Sequence, residues 1–248
     1  KEEWGFCLSY AQYQNLPEDT YSVVIDSSLE PGSLTYGELF LKGESQQEFL
    51  VSTYPCHPSM CDDNLSGVVL ATFLAKHLSK FKLKYSYRFL FVPETIGSIT
   101  WLSRNEHKLN NIKHGLLATC VGDSGAFTYK KTRLGNADVD KAVQKALSSS
   151  EIPYKILDFV PGGSDERQYC SPGFNLAVGC LMRTEPDTFR EYHTSADDLN
   201  FVTPRALGES FEKYLETVSI IENNAVYFNL NPKCEPQLGK RGIYDLVG

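Results

Sequence analysis

The sequence predicts an α/β fold, a three-layer sandwich in which a mostly parallel, mixed sheet is covered by helices on both faces. Three observations point there. Short, continuously apolar runs such as RFLFV (88–92), GLLATCV (115–121) and NLAVGCLMR (175–183) have the character of strands buried on both faces. Segments with helical apolar spacing alternate with them. Polar residues able to do chemistry fall just after the strands, where open α/β sheets bind ligands.

The elements follow in order. Three β-like runs open the chain, at 21–27 (YSVVIDS), 34–42 (LTYGELFLK) and 48–54 (EFLVSTY). Glu30-Pro31-Gly32 and Lys42-Gly43-Glu44 supply the turns between them. Residues 1–47 are read as a short N-terminal β segment, an accessory remnant or the sheet's edge, and 48–248 as the main domain. The period then changes. Leu65, Val68, Val69, Phe73 and Leu78 predict a helix over 65–81. A strand at 88–92, a helix at 97–108 and a strand at 115–121 come next. A helix at 139–148 and strands at 154–160 and 175–183 follow. A long helix over 204–228 carries Leu207, Phe211, Leu215, Val218 and Ile221 on one face, with Pro204 in its first turn.

Composition narrows the function classes. The 248 residues are 42% hydrophobic and 22% charged, an ordinary globular balance. Net charge is −7, and no basic patch stands out, so a nucleic-acid partner is not expected. No apolar run approaches the ~18 residues that span a bilayer, so a membrane partner is not expected either. Seven cysteines without a C-x-x-C pair read as reduced thiols of a cytoplasmic protein. No G-x-G-x-x-G or phosphate loop occurs.

Four segments after strands carry the chemistry. In Tyr54-Pro-Cys-His57-Pro-Ser-Met-Cys-Asp62-Asp63-Asn64-Leu-Ser66-Gly67, a His and two carboxylates lie within seven residues. That donor set suits zinc. Taken alone, the carboxylates also read as helix N-cap residues and His57 as a loop histidine. Glu94, leaving an apolar strand, is placed to act as a general base, or as a helix-start Glu favoured by the macrodipole. Asp165, Glu166 and Arg167 follow Gly162-Gly163-Ser164 and fit either a clamp for a charged substrate end or a surface turn. His193 precedes the last helix, and Asp197, four residues on, fits a carboxylate that orients a ligating imidazole. His77, His107 and His114 read as structural or solvated.

Assembled, these segments resemble the zinc-dependent exopeptidases of the bacterial-aminopeptidase and glutamate-carboxypeptidase type. More closely, WGFC, TYPCHPS, DNLSG, PETIGS, GSDERQYCSPGFNL and EYHTSAD resemble an aminopeptidase-like family found in bacterial polysaccharide-biosynthesis gene clusters, long carried as a domain of unknown function. The resemblance covers essentially the whole chain. It implies that His57, Asp63 and His193 are metal ligands, with Asp63–Asn64 a cis peptide. It implies Glu94 as the general base and Asp197 as support for His193. It places Asp165, Glu166 and Arg167 in the substrate pocket. Members of that family are longer, with an N-terminal segment and a C-terminal winged-helix-like module that this sequence is expected to lack.

Two departures matter. The dinuclear relatives carry Glu-Glu where this chain has Glu94-Thr95, and an Asp where it has Thr119. One private ligand of each metal is missing, so one zinc is expected, with Asp123 a reserve ligand. The resemblance implies an aminopeptidase acting on a small peptide or amide at a free amino terminus. Two rivals stand beside it: an amidase or transamidase acting on acylated amino sugars, and a binding module with a degenerate site.

Overall fold

The computed structural model describes residues 8–234 and 237–244. Seven strands make one sheet: β1 (Gly37–Leu41), β2 (Glu48–Thr53), β3 (Ser86–Phe91), β4 (Ile112–Ala118), β5 (Phe127–Lys130), β6 (Tyr154–Leu157) and β7 (Val178–Met182). Their order is β1-β3-β2-β4-β7-β5-β6. The central strands β3, β2, β4 and β7 run parallel, and β6 runs parallel to β5. Only β1 against β3 and β5 against β7 are antiparallel.

Period-two alternation sorts the side chains into layers. Phe49 and Val51 of β2, Phe89 of β3 and Leu116 of β4 face one way. There they meet Leu70 and Leu74 of α2 (Gly67–Leu78), Val143 of α4 (Asp138–Ser148) and Tyr214, Val218 and Ile221 of α6 (Pro204–Asn223). Leu50, Leu90 and Val178 face the other way, against Trp101 and Leu102 of α3 (Ile96–Asn105) and Tyr169 of α5 (Glu166–Tyr169). The predicted three-layer α/β sandwich is the observed one. Arg88 of β3 ties the edge to the centre, with a two-pronged bond to Glu48 of β2 (2.6 and 2.9 Å) and a bond to Glu38 of β1.

Several boundaries differ from the sequence reading. Residues 21–27 are not a strand. They run exposed and unpaired, with Val24 86% exposed, because no neighbouring strand supplies a ladder. The only element before β1 among the described residues is α1 (Tyr10–Gln14), closed by a Ser9 capping box. β5 has no counterpart in the sequence reading. It is four residues long, and its polar Thr128 and Lys130 disguise it although both are buried. α6 ends at Asn223, and Val226, Tyr227 and Phe228 beyond it are exposed.

Candidate metal centre

The carboxyl-terminal ends of the parallel strands converge on one edge of the sheet. The segment after β2 brings Tyr54 and His57. The turn Cys61–Ser66 before α2 brings Asp63. Glu94 follows β3, Thr119 follows β4, and His193 lies in the long connection after β7.

The Asp-Asn-x-Ser-Gly run is a bolt between this turn and the end of β4. Asn64 Nδ2 donates to Thr53 Oγ1 and to the Ala118 carbonyl, both at 3.0 Å. Its Oδ1 accepts from the Gly67 and Cys120 N–H groups. Ser66 Oγ donates to the Asp62 carbonyl at 2.7 Å and accepts from Val121 N–H at 3.1 Å. Gly67 is required by space: a Cβ there would sit 2.4 Å from the Ala118 carbonyl oxygen. Asn64 is 1% exposed, so its formal glycosylation sequon is out of reach of any sugar. The Asp63–Asn64 peptide is cis.

Asp63 Oδ2 lies 3.0 Å from His193 Nε2 and 3.3 Å from His57 Nδ1. One ligand atom from each residue lies within 4.8 Å of the other two, and no other such cluster occurs among the described residues. Donors of a tetrahedral zinc stand roughly 3.4 Å apart, so the set is close to what one ion needs. Two further features fit an ion. His57 Nδ1 is buried without a hydrogen bond, and Asp63 is 1% exposed with two imidazoles against one oxygen. His193 sits at φ 54°, a left-handed conformation that costs a non-glycine residue and recurs at functional sites. Its ring stacks on Tyr192, with centroids 3.9 Å apart.

Asp63 is fixed from behind. Tyr54 Oη donates to its Oδ1 at 2.9 Å and lies 2.6 Å from Thr119 Oγ1. Burial, then the charge of Asp63, pushes the Tyr54 phenol well above its ordinary pKa, so it stays a donor. Thr119 thus positions Tyr54. Thr95 is satisfied too: its N–H donates to Asp165 Oδ1 at 2.7 Å, and its hydroxyl accepts from Arg167 Nη2 at 3.1 Å. Glu94 stands in the same field. Its charge helps to raise the pKa of Tyr54 and of Tyr192, and Ser164 Oγ donates to its Oε1 at 2.6 Å.

Of the other expected residues, Glu166 alone lines a cavity beside the centre, and the rest are placed differently. Asp197 does not reach His193. Its carboxylate accepts the N–H groups of Asp62 (2.6 Å) and Asp63 (3.0 Å), and it holds the ligand's backbone instead of a ring. Asp123 is no reserve ligand, since its oxygens accept from Gly125 N–H and from the Thr184 N–H and hydroxyl. Asp165 is fully buried and anchors Thr95 and Ser98, and burial pushes its carboxyl up to about 6. Glu166 is buried in an ion pair with Lys130 at 2.7 Å. Arg167 turns toward Thr95.

Sequence reasoning gave no role to Tyr54 and Tyr192, and it counted Asp62 in a zinc donor set that Asp62 does not join. Asp62 is fully buried, and burial followed by the nearby Asp123 charge pushes its carboxyl up to about 7. Tyr54 and Tyr192 had a signal in their direct adjacency to the strand end and to His193. His77 and His114 pack against aromatic rings away from the site.

Residues 12–224 match the family model described as domain of unknown function DUF4910. The chain belongs to this family. Beyond the DUF4910 domain, residues 225–248 match a winged helix-turn-helix model, so part of the C-terminal module expected to be missing is present. Across all its 248 residues the chain is 61% identical to a Clostridium acetobutylicum protein provisionally described as a polysaccharide biosynthesis protein with an aminopeptidase-like domain, and it spans 57% of that protein's length. A crystal structure from the same organism, provisionally described as a peptidase, matches with a TM-score of 0.89 at 62% identity, over 98% of this chain and 57% of that one. BSAP, a zinc aminopeptidase from Bacillus subtilis, matches with a TM-score of 0.63 at 16% identity, over 77% of this chain and 50% of that one. The DUF4910 domain therefore has the fold of that zinc aminopeptidase.

Proposed function

We propose that this domain hydrolyses an amide bond at a free amino terminus, as a metal-dependent aminopeptidase with one zinc ion held by His57, Asp63 and His193. One observation carries the reading: those three ligand atoms, far apart in sequence, meet within 4.8 Å at the same sheet edge as Glu94. The aminopeptidase-like domain of the C. acetobutylicum relative and the zinc aminopeptidase fold support it.

When bound, zinc supplies Lewis acidity toward a water and toward the scissile carbonyl. The protein does the rest. Ser164 holds one oxygen of Glu94, and the other has no hydrogen bond among the described residues. That free oxygen takes a proton from the attacking water, and Glu94 returns it to the departing amine. Tyr54 and Asp197 keep Asp63 in one orientation, and Tyr192 keeps the His193 ring flat. Six free thiols among the described residues fit a reducing, cytoplasmic compartment.

A second reading, hydrolysis or transfer of an acyl group on an amino sugar, takes its motive from the polysaccharide-biosynthesis part of the relative's description. Both readings meet in one experiment. Protein purified without chelator is assayed for zinc and screened on aminoacyl anilides and acylated amino sugars. One zinc per chain is expected, with Glu94→Gln keeping the metal and losing roughly 10²–10⁴ in rate. Unchanged turnover in that variant removes Glu94 from the role, and two zincs per chain overturn the single-ion assignment.

A further inference from the structure

A cavity of about 540 Å³ opens beside the metal centre, and Thr119 and Ser164 belong to its wall. Those two residues also contact Tyr54 and Glu94, so a substrate group lodged in the cavity stays next to the reacting atoms. Leu157, Val160, Cys180 and Met182 make much of the wall apolar. The exception is a charged pair. Lys130 is 5% exposed and Glu166 is 1% exposed, and they meet at 2.7 Å.

The pair is built but incomplete. An ammonium has three donors, and Lys130 spends two, on Glu166 Oε1 and on the Gly162 carbonyl, with the Phe159 ring at its flank. Glu166 Oε2 is buried and has no hydrogen bond. An unpaired carboxylate oxygen in a low dielectric is costly, and a ligand donor would relieve it. The Gly162-Gly163-Ser164 loop exists to lie on this pair: Gly163 sits at φ 97°, and a Cβ there would stand 2.7 Å from Glu166 Oε1. The rest of the charged lining is acidic, with Asp158, Glu185 and Asp187.

We propose that Lys130 and Glu166 select substrates by a neutral group that carries a hydrogen-bond acceptor and donor side by side, either a carboxamide or adjacent sugar hydroxyls. The selection deepens the amide-hydrolase reading and rests on it. Lys130 offers an N–H to the acceptor, and Glu166 Oε2 takes the donor. At the pair itself a carboxylate lies against the Glu166 carboxylate and a cation lies against the Lys130 ammonium, while Asp158 and Glu185 are already paired with Lys131 and Lys155. A purely aliphatic group leaves both polar atoms unmatched, and mismatched buried polar groups discriminate strongly.

The test measures binding and turnover separately on the full chain loaded with zinc. Calorimetry compares glutaminamide, N-acetylglucosamine, leucinamide, glutamic acid α-amide and lysinamide; the anilides of the four amino acids, and release of acetate from the sugar, are assayed for hydrolysis. At least one neutral polar ligand binds at least about tenfold more tightly than leucinamide. The glutamine and sugar arms tell which bearer is meant. Lys130→Met combined with Glu166→Leu replaces the pair by apolar residues of similar volume, which folds where a lone buried charge would not. In that variant leucinamide overtakes the polar ligands. Tightest binding of leucinamide, the glutamate amide or lysinamide by the natural chain overturns the proposal, as does an unchanged order in the double variant. If the binding order holds and nothing is hydrolysed, the hydrolase reading fails and the pair is left with a ligand preference that serves no hydrolysis.

Discussion

Replacing Asp197 by Asn separates two accounts of how the metal site is held. The carboxylate accepts the Asp62 N–H at 2.6 Å and the Asp63 N–H at 3.0 Å, and no contact joins it to His193. An amide has one oxygen where the carboxylate has two, so one buried N–H loses its acceptor and faces an NH₂ group. Hydrogen bonds to a charged acceptor contribute about 1.5–3 kcal/mol each, so the loss is of order 2–3 kcal/mol. That energy is spread between fold stability and the orientation of Asp63. If half or more falls on the ligand, zinc affinity drops roughly 10-fold to 100-fold, the range seen for groups supporting metal ligands. The assay is competition of the purified variant against a chromophoric zinc chelator, with circular dichroism to verify folding and thermal melts of the metal-free protein to measure the rest. Asp197→Asn protein that is folded, equally stable and equally tight for zinc refutes the reasoning, because the two N–H groups would then not need the carboxylate.

Four further outcomes follow from the same contacts. Tyr54→Phe strips a donor from Asp63 Oδ1 and a partner from Thr119, so zinc binding weakens several-fold and stability falls by about 1–3 kcal/mol, read by chelator competition and urea unfolding. Gly67→Ala forces a methyl against the Ala118 carbonyl at 2.4 Å and costs about 3 kcal/mol, a drop of roughly 6–12 °C in Tm; an unchanged Tm means the turn can give way. Asp165 has its folded pKa raised to about 6 from 3.8, so its contribution is fully present below 3.8 and is lost as pH rises through 6; unfolding at pH 4 and 7.5 should show Asp165→Asn gaining about 2 kcal/mol on the natural chain at the higher pH, and a constant difference refutes the shift. Thr95→Glu puts a carboxylate beside the Arg167 guanidinium, so zinc stays at one per chain; two per chain by elemental analysis contradicts the pairing.

How much of this was legible in the sequence depended on what kind of contact each residue makes. RFLFV, GLLATCV and NLAVGCLMR announced themselves because strands buried on both faces must be apolar throughout. His57, Asp63 and His193 were legible because ligating groups cluster just past such strands, and the structure brings these three together. Asp197 was visible as a residue, but its partner was not. It binds backbone N–H groups about 134 positions away, and a backbone group leaves no trace in side-chain identity. Lys130 and Glu166 look like surface residues in a string, and only the fold reveals that each buries the other. Residues 21–27 show the converse: β-forming composition is idle without a neighbouring strand to complete the ladder.

The two threonines support the proposal of a single ion. A site that had merely decayed would leave the vacated positions unpaired or filled by unrelated side chains. Here each hydroxyl is bound into the support of what remains. Thr119 lies against Tyr54, which holds Asp63, so the threonine there supports the orientation of Asp63. Thr95 accepts from Arg167 beside the buried Asp165, and it sits at φ 63° to do so, a conformation that a β-branched residue rarely tolerates. Arg167 therefore brings its positive charge to the position where a second ion's carboxylate would stand. A guanidinium there repels a divalent cation by about 4 kcal/mol per unit of its charge at 4 Å, even in the moderate dielectric near a protein surface. The arrangement keeps His57, Asp63 and His193 together and sets a positive charge at the neighbouring position, which supports the proposal of one ion.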